Sequence, residues 1–297
     1  MSDVGVPSRP TRLRQLVLEV PDPATTGRFL EEGLTLGTAA RADGAVTVLT
    51  DPPYAGTGPA EILVLRAGPG VRLVEVVLEG SPGLDLGAVT GRLEALGRTT
   101  ARLPADDGAG PGLAVEVGGI RVSLREIVPA VAHQPVLPPS SLRPRRLGHV
   151  NVLTPEPAAL VQTMIEGLGL RLSEQIGEAF YFLRIGSEHH NLGVRAGPVG
   201  GAHHVALEVH GWDSYRVLCD RLAGLGWSVE YGPGRHGPGN NLFVYVRDPS
   251  SGLRFELFSD MVHIEDEATY RPPRWRLDER HRTVNVWGPG PPESFLS

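Results

Sequence analysis

Three residues of this 297-residue chain have the chemistry of a metal centre, and an internal repeat singles them out. Residues 13–36 (LRQLVLEVPDPATTGRFLEEGLTL) align with 147–170 (LGHVNVLTPEPAALVQTMIEGLGL) at a constant offset of 134. Residues 74–80 (VEVVLEG) align with 203–209 (HHVALEV) at an offset of 129, and GIRVSL (119–124) aligns with GLRFEL (252–257). At three aligned places the second half has a set of metal-type ligands, two histidines and a carboxylate, that the first does not. His149 stands opposite Gln15, His204 opposite Glu75, and Glu256 opposite Ser123. Two histidines and one carboxylate, with positions left open, form the facial triad favoured by non-haem iron(II) that must bind substrate and oxygen together; manganese(II) fits the same ligands. A lone strand histidine is usually a satisfied structural residue. Three coincident exchanges at equivalent repeat positions weigh against that reading here. The first half, lacking the ligands, is expected to be metal-free and structural.

The elements that must position these residues follow from hydrophobic periodicity. Each repeat unit opens on an alternating apolar strand such as LVLEV or HVNVL, continues into an amphipathic helix with a Pro or polar start, and ends in short strands separated by Gly, Asp and Pro. This predicts an α+β chain of tandem βαβββ modules, two to each half, with each pair of modules forming a cupped sheet and the helices outside. The expected divisions are a non-catalytic domain over 1–130, a Pro- and Ser-rich linker over 131–145, a metal-binding domain over 146–262 and a tail over 263–297. His149 and His204 fall at the same early point of their strands and Glu256 on a closing strand. All three can then face one cup, held rigidly.

Composition narrows the class. A net charge of −6 with no basic block argues against a nucleic-acid partner. No apolar run is long enough to cross a bilayer. The start, MSDVGVPSRPTRLRQ, lacks an apolar stretch followed by a small-residue cleavage site, and the single cysteine, Cys219, falls in an apolar-periodic helix. A cytoplasmic protein is the expectation.

The segment YGPGRHGPGNNLFVYVRDPSSGLRFELFSD (231–260) resembles the corresponding stretch of the type I extradiol ring-cleavage dioxygenases of the vicinal oxygen chelate superfamily, and the likeness runs over nearly the whole chain. In that pattern a GRH histidine, a tyrosine and the glutamate ligand follow in order, here His236, Tyr245 and Glu256. The turn between the last two carries an extra serine (Ser250, Ser251), which lengthens the spacing by one. FLRIGSEHHNLGV (182–194) is similar to the family strand ending in the acid–base histidine, which falls on His190, with His189 beside it. Asn151, two residues after the first ligand, and the ending WGPGPPESFL (287–296) are similar to the homoprotocatechuate 2,3-dioxygenase group, whose likeness implies a tail folded over the site.

The resemblance implies an iron(II) enzyme that inserts both atoms of O2 into a catechol, with manganese(II) as the alternative metal. His190 would act as acid, while His236 and Tyr245 would stabilise charge on substrate oxygens. Asn151, Phe182, Tyr231 and Arg282 are the implied substrate contacts. Tyr231 replaces a family arginine, Phe182 a tryptophan, and an arginine pair is reduced to Arg282 followed by Thr283. These exchanges point to a neutral or bulky catechol rather than a carboxylated one. The family implies a homo-oligomer. Two other classes share such modules: a metal-dependent glyoxalase-like isomerase and a metal-free binding protein of the bleomycin-resistance type.

Overall fold

A computed structural model of the chain describes residues 8–50, 60–106, 109–127 and 143–296. The order strand, helix, three strands occurs four times. The first unit is β1 (Pro10–Val20), α1 (Pro23–Leu34), β2 (Gly37–Ala40), β3 (Val46–Thr50) and β4 (Ala60–Ala67). The second is β5 (Arg72–Gly80), α2 (Leu86–Ala95), β6 (Thr100–Leu103), β7 (Gly112–Val117) and β8 (Ile120–Glu126). The third is β9 (Arg146–Thr154), α3 (Pro157–Gln162), β10 (Arg171–Ile176), β11 (Phe180–Arg184) and β12 (Leu192–Ala196). The fourth is β13 (Gly201–Glu208), α4 (Trp212–Gly224), β14 (Val229–Arg235), β15 (Leu242–Arg247) and β16 (Arg254–Ser259), and a short β17 (Arg274–Trp275) follows. Most of the stretch expected to link the halves, 128–142, lies outside the described residues.

The helix starts follow from local chemistry. Asp22 accepts from the backbone N–H groups of Ala24 and Thr25, with Pro23 in the first helical turn of α1; Pro157 opens α3 in the same way. The first strands of paired units lie antiparallel at the centre of each sheet, β1 on β5 and β9 on β13. Each first strand also pairs in parallel with its own unit's last strand, as β13 does with β16. The sheets run β2-β3-β4-β1-β5-β8-β7-β6 and β14-β15-β16-β13-β9-β12-β11-β10-β17. Each is thus two modules joined through their opening strands, and the tail adds one edge strand to the second.

One apolar core runs through both halves, from Leu16 and Leu63 to Val205 and Leu257. Helices dock across the boundary: the Phe29 ring of α1 lies 4.8 Å from Trp227 and 6.1 Å from Phe255. Buried Thr26 donates its hydroxyl to Asp248 at 2.7 Å, and the Ser250 and Ser251 hydroxyls donate to the same carboxylate. The extra serine is therefore absorbed in the turn that Asp248 closes. The strands on either side keep register, with Tyr245 directly opposite Glu256.

Because Thr26 and Asp248 belong to different halves, Thr26→Val leaves a buried carboxylate with one donor fewer. A hydrogen bond to a charged group contributes about 1.5–3 kcal/mol. Urea unfolding of Thr26→Val is expected to show a loss within that range. A loss below about 0.5 kcal/mol would mean that the two serines satisfy Asp248 unaided.

Candidate metal centre

His149, His204 and Glu256 come from three adjacent strands, β9, β13 and β16. In the ladder Ala206 of β13 is the partner of His149 on one side and of Glu256 on the other, so nothing larger than a methyl group stands between the two ligands. His204, two residues earlier on the same strand, reaches the same spot. Gly148 is required here. A Cβ at that position would collide with the Phe258 ring, which packs on the His149 ring at a centroid distance of 5.0 Å.

Glu256 Oε2 lies 3.0 Å from His149 Nε2 and 3.1 Å from His204 Nε2, and the two imidazole nitrogens are 3.4 Å apart. Metal–ligand bonds of about 2.0–2.2 Å at roughly right angles place neighbouring donors about 3 Å apart. These three atoms are spaced as ligands on one face of a single ion. Among the described residues this is the group that could hold a metal.

The protonation pattern agrees. Burial works to raise the Glu256 pKa, but the imidazoles of His149, His204 and His236 outweigh it and hold the carboxyl well below its usual range. Burial pulls His204 down to about 4, so its imidazole is neutral near pH 7. The proton of that ring can be located from its surroundings. His203 Nε2 lies 2.9 Å from the Phe295 carbonyl, which can only accept, so His203 carries its proton on Nε2. Burial and the neighbouring cationic field lower His203 to about 2, so its Nδ1 is bare and accepts from His204 Nδ1 at 2.8 Å. That leaves the lone pair of His204 on Nε2, facing Glu256. Outer partners of this kind fix the tautomer a metal ligand needs.

Around the triad lies a cavity of about 540 Å³, lined among others by Asn151, Phe180, Phe182, His190, Arg195, His236, Tyr245, Leu277 and Leu296. Tyr245 donates to Glu256 Oε2 at 2.9 Å and lies 2.9 Å from His236 Nε2, while His236 Nδ1 donates to the Val284 carbonyl at 2.6 Å. Burial, then the Glu256 charge, push the Tyr245 phenol well above its ordinary pKa. Burial and the neighbouring imidazoles of His149 and His189 hold His190 well below its usual value. The His190 ring sits 4.3 Å from that of His149 and 5.1 Å from that of Phe182.

Eight of the ten residues singled out by sequence thus meet at one cavity: His149, His204, Glu256, His190, His236, Tyr245, Asn151 and Phe182. Two do not. Tyr231 stands behind the wall, stacked on Tyr245 with its hydroxyl donating to the Pro289 carbonyl. Arg282 points outward, 60 % exposed and paired with Glu279; the tail reaches the cavity with Thr283 and Val284 instead. Sequence reasoning also missed Asn241, which donates to Glu256 Oε1 at 2.9 Å, and His203. The HH pair at 203–204 was the available signal for the latter.

Residues 146–257 match the model of the Glyoxalase/Bleomycin resistance protein/Dioxygenase superfamily. Metapyrocatechase 2 of Cupriavidus necator is 32% identical over 155 residues, 52% of this chain and 47% of that protein. The manganese-dependent 2,3-dihydroxybiphenyl 1,2-dioxygenase of Geobacillus genomosp. 3 is 32% identical over 161 residues, 51% of each chain. The chain spans about half the length of these curated relatives. Among solved structures, the Mn(II)-bound glyoxalase of Novosphingobium aromaticivorans superposes with a TM-score of 0.83 at 24% identity, covering 97% of this chain and 94% of that one. Homoprotocatechuate 2,3-dioxygenase of Arthrobacter globiformis gives 0.80 at 23% identity, covering 99% and 93%. The fold is therefore the glyoxalase-type vicinal oxygen chelate fold.

Replacing His149, His204 or Glu256 by Ala is expected to cut bound metal, measured by elemental analysis after reconstitution, to below about a tenth of stoichiometric. His203→Phe keeps the ligands but frees the His204 tautomer. Its metal affinity is expected to fall roughly 10–100-fold, the usual cost of losing an outer partner. Unchanged affinity would detach His203 from the centre.

Proposed function

We propose that the protein is an extradiol dioxygenase that opens a catecholic ring with O2, using iron(II) and accepting manganese(II) at His149, His204 and Glu256. The observation that carries this reading is the company the triad keeps. His190, His236 and Tyr245 converge on the same side of it as the cavity, each within reach of a molecule bound there. A bound divalent metal would bring catechol and oxygen to one centre and supply the electronic coupling that triplet oxygen lacks with a closed-shell ring.

The chain's own residues supply the rest. The Asn151 side-chain oxygen is buried, has no hydrogen-bond partner among the described residues and sits on the cavity wall, placed to receive a substrate hydroxyl. His236 and Tyr245, linked to each other and to Glu256, line the cavity where charge on the substrate oxygens must be stabilised, and a bound substrate would compete for the hydrogens they now share with Glu256 and Val284. His190, neutral through burial, can take a proton from a substrate hydroxyl and return it during oxygen–oxygen bond cleavage.

The apolar share of the lining supports a bulky substrate. Ile176, Ala179, Phe180, Phe182, Leu277 and Leu296 belong to it, and the Phe180 and Phe182 rings stack at 4.3 Å. A cavity of about 540 Å³ has the size of drug-sized ligand sites, larger than a bare catechol needs. The close superposition on a glyoxalase favours a second reading, a metal-dependent isomerase. That reaction leaves His190, His236 and Tyr245 without a shared task.

Reconstitution with iron(II) or manganese(II) under anaerobic conditions, followed by air and a panel of alkyl- and aryl-substituted catechols, is expected to give oxygen uptake with a yellow semialdehyde product. Aryl catechols should outrank carboxylated ones in kcat/KM. Metal-loaded protein that consumes no oxygen with any catechol, yet isomerises a thiohemiacetal, would transfer the assignment to the glyoxalase class. His190→Phe is expected to lower kcat by about 10²–10⁴, the usual range for a general acid–base group, with bound metal unchanged. Loss of the metal in that variant would overturn the role given to His190.

A further inference from the structure

Behind His190 lies a second histidine with a partner of its own. His190 Nδ1 is 2.9 Å from His189 Nδ1, the two rings standing at 88°. His189 is 2 % exposed, and its Nε2 makes no hydrogen bond but lies 3.1 Å from Glu174 Oε1, the acceptor a small rotation of the ring would align with an N–H. The other Glu174 oxygen accepts the indole N–H of Trp275. Trp275 belongs to β17, the tail strand paired with β10, on which Glu174 sits. The row runs tail indole, carboxylate, imidazole, imidazole, cavity, with the carboxylate at ion-pair distance from His189.

We propose that Glu174 and His189 are positioning residues that set the tautomer and ring orientation of His190, an inference that rests on reading His190 as the acid–base group. The donor and acceptor inventory dictates the pattern. A carboxylate can only accept, so His189 keeps its proton on Nε2. With that one proton on Nε2, the ring offers a bare Nδ1. One hydrogen fits between the two Nδ1 atoms, so it must come from His190. His190 is left with its Nε2 lone pair uncommitted to that bond, the form able to receive a substrate hydroxyl proton. The Trp275 indole can only donate, which pins one carboxylate oxygen and turns the other toward His189. The tail thereby takes part in orienting a cavity histidine.

Glu174→Gln tests the pattern with little change of shape. The Trp275 indole holds the amide oxygen at its side, so the amide NH2 must face His189 Nε2 and force it to accept. Every proton in the row then reverses, and His190 carries its proton on Nε2. The measurement is ¹⁵N–¹H correlation of ¹⁵N-histidine in the full chain loaded with diamagnetic zinc(II), with His190→Phe used to assign the signal. Wild type is expected to show His190 protonated on Nδ1, Glu174→Gln on Nε2. The double variant Glu174→Gln, Trp275→Phe frees the amide to rotate and is expected to return toward the wild-type form.

With the catalytic metal, Glu174→Gln is expected to lose roughly tenfold to hundredfold in kcat, less than the ~10²–10⁴ of a whole acid–base group. KM and metal content should stay within about twofold of wild type on this account, since the uniform binding that sets KM is untouched. An unchanged His190 tautomer in Glu174→Gln overturns the inference, even if the enzyme cleaves catechols. A reversed tautomer in a protein that cleaves no catechol upholds the pattern and overturns the dioxygenase reading.

Discussion

A buried carboxylate held between two imidazoles is the constraint on which the second half of this molecule is built. Glu256 is 1 % exposed, and an ion of one sign in such a place is costly unless charge or hydrogen bonds answer it. Here the answer comes from five directions: His149, His204, Tyr245, Asn241 and, at 3.6 Å, His236. The partners come from strands β9, β13 and β15 and from the β14–β15 connection, which carries His236 and Asn241. Bringing them together requires the central β9–β13–β16 arrangement and the β15 register that sets Tyr245 opposite Glu256. The cluster leaves its donors facing one another at metal-ligand spacing.

The tail acts on this cluster through proton positions. The Val284 carbonyl accepts from His236 and the Phe295 carbonyl from His203, while the Trp275 indole donates to Glu174. The tail is itself anchored on the sheet: Arg254 donates to the Ser294 carbonyl, stacks over the Phe295 ring and pairs with Glu230. Backbone carbonyls are acceptors only, so a histidine that meets one has its tautomer decided. In a site with several imidazoles, that decides which nitrogens are free for a metal or a substrate.

In the first half the same frame carries other side chains at the three ligand positions. Its counterpart positions have been turned to ordinary polar contacts: Ser123 donates to Glu75, Arg121 pairs with Glu75 at 3.3 Å, and Gln15 reaches Glu61 at 3.4 Å. Its contribution to the site is mechanical. The Phe29 face of α1 and the Thr26–Asp248 bond brace the turn between the strands that carry Tyr245 and Glu256.

Much of this was legible in the sequence. Strand and helix periodicity is local, so the fourfold strand–helix–three-strand order could be read directly, and comparing the halves exposed His149, His204 and Glu256 as departures from a shared pattern. Asn151 and His149, two apart on one strand, had to share a face because side chains alternate. Tertiary structure decided what depends on long-range packing. Tyr231 and Arg282 follow motif positions, yet one packs behind Tyr245 and the other turns to solvent, because the path of the tail sets who reaches the cavity. Asn241 and Glu174 have no spacing that marks them, and the HH pair marks His203 without telling what it meets. Glu174 is 101 residues from Trp275, and His203 is 92 from Phe295. A hydrogen bond is fixed by distance and angle in space, and only the folded chain brings such partners within that reach.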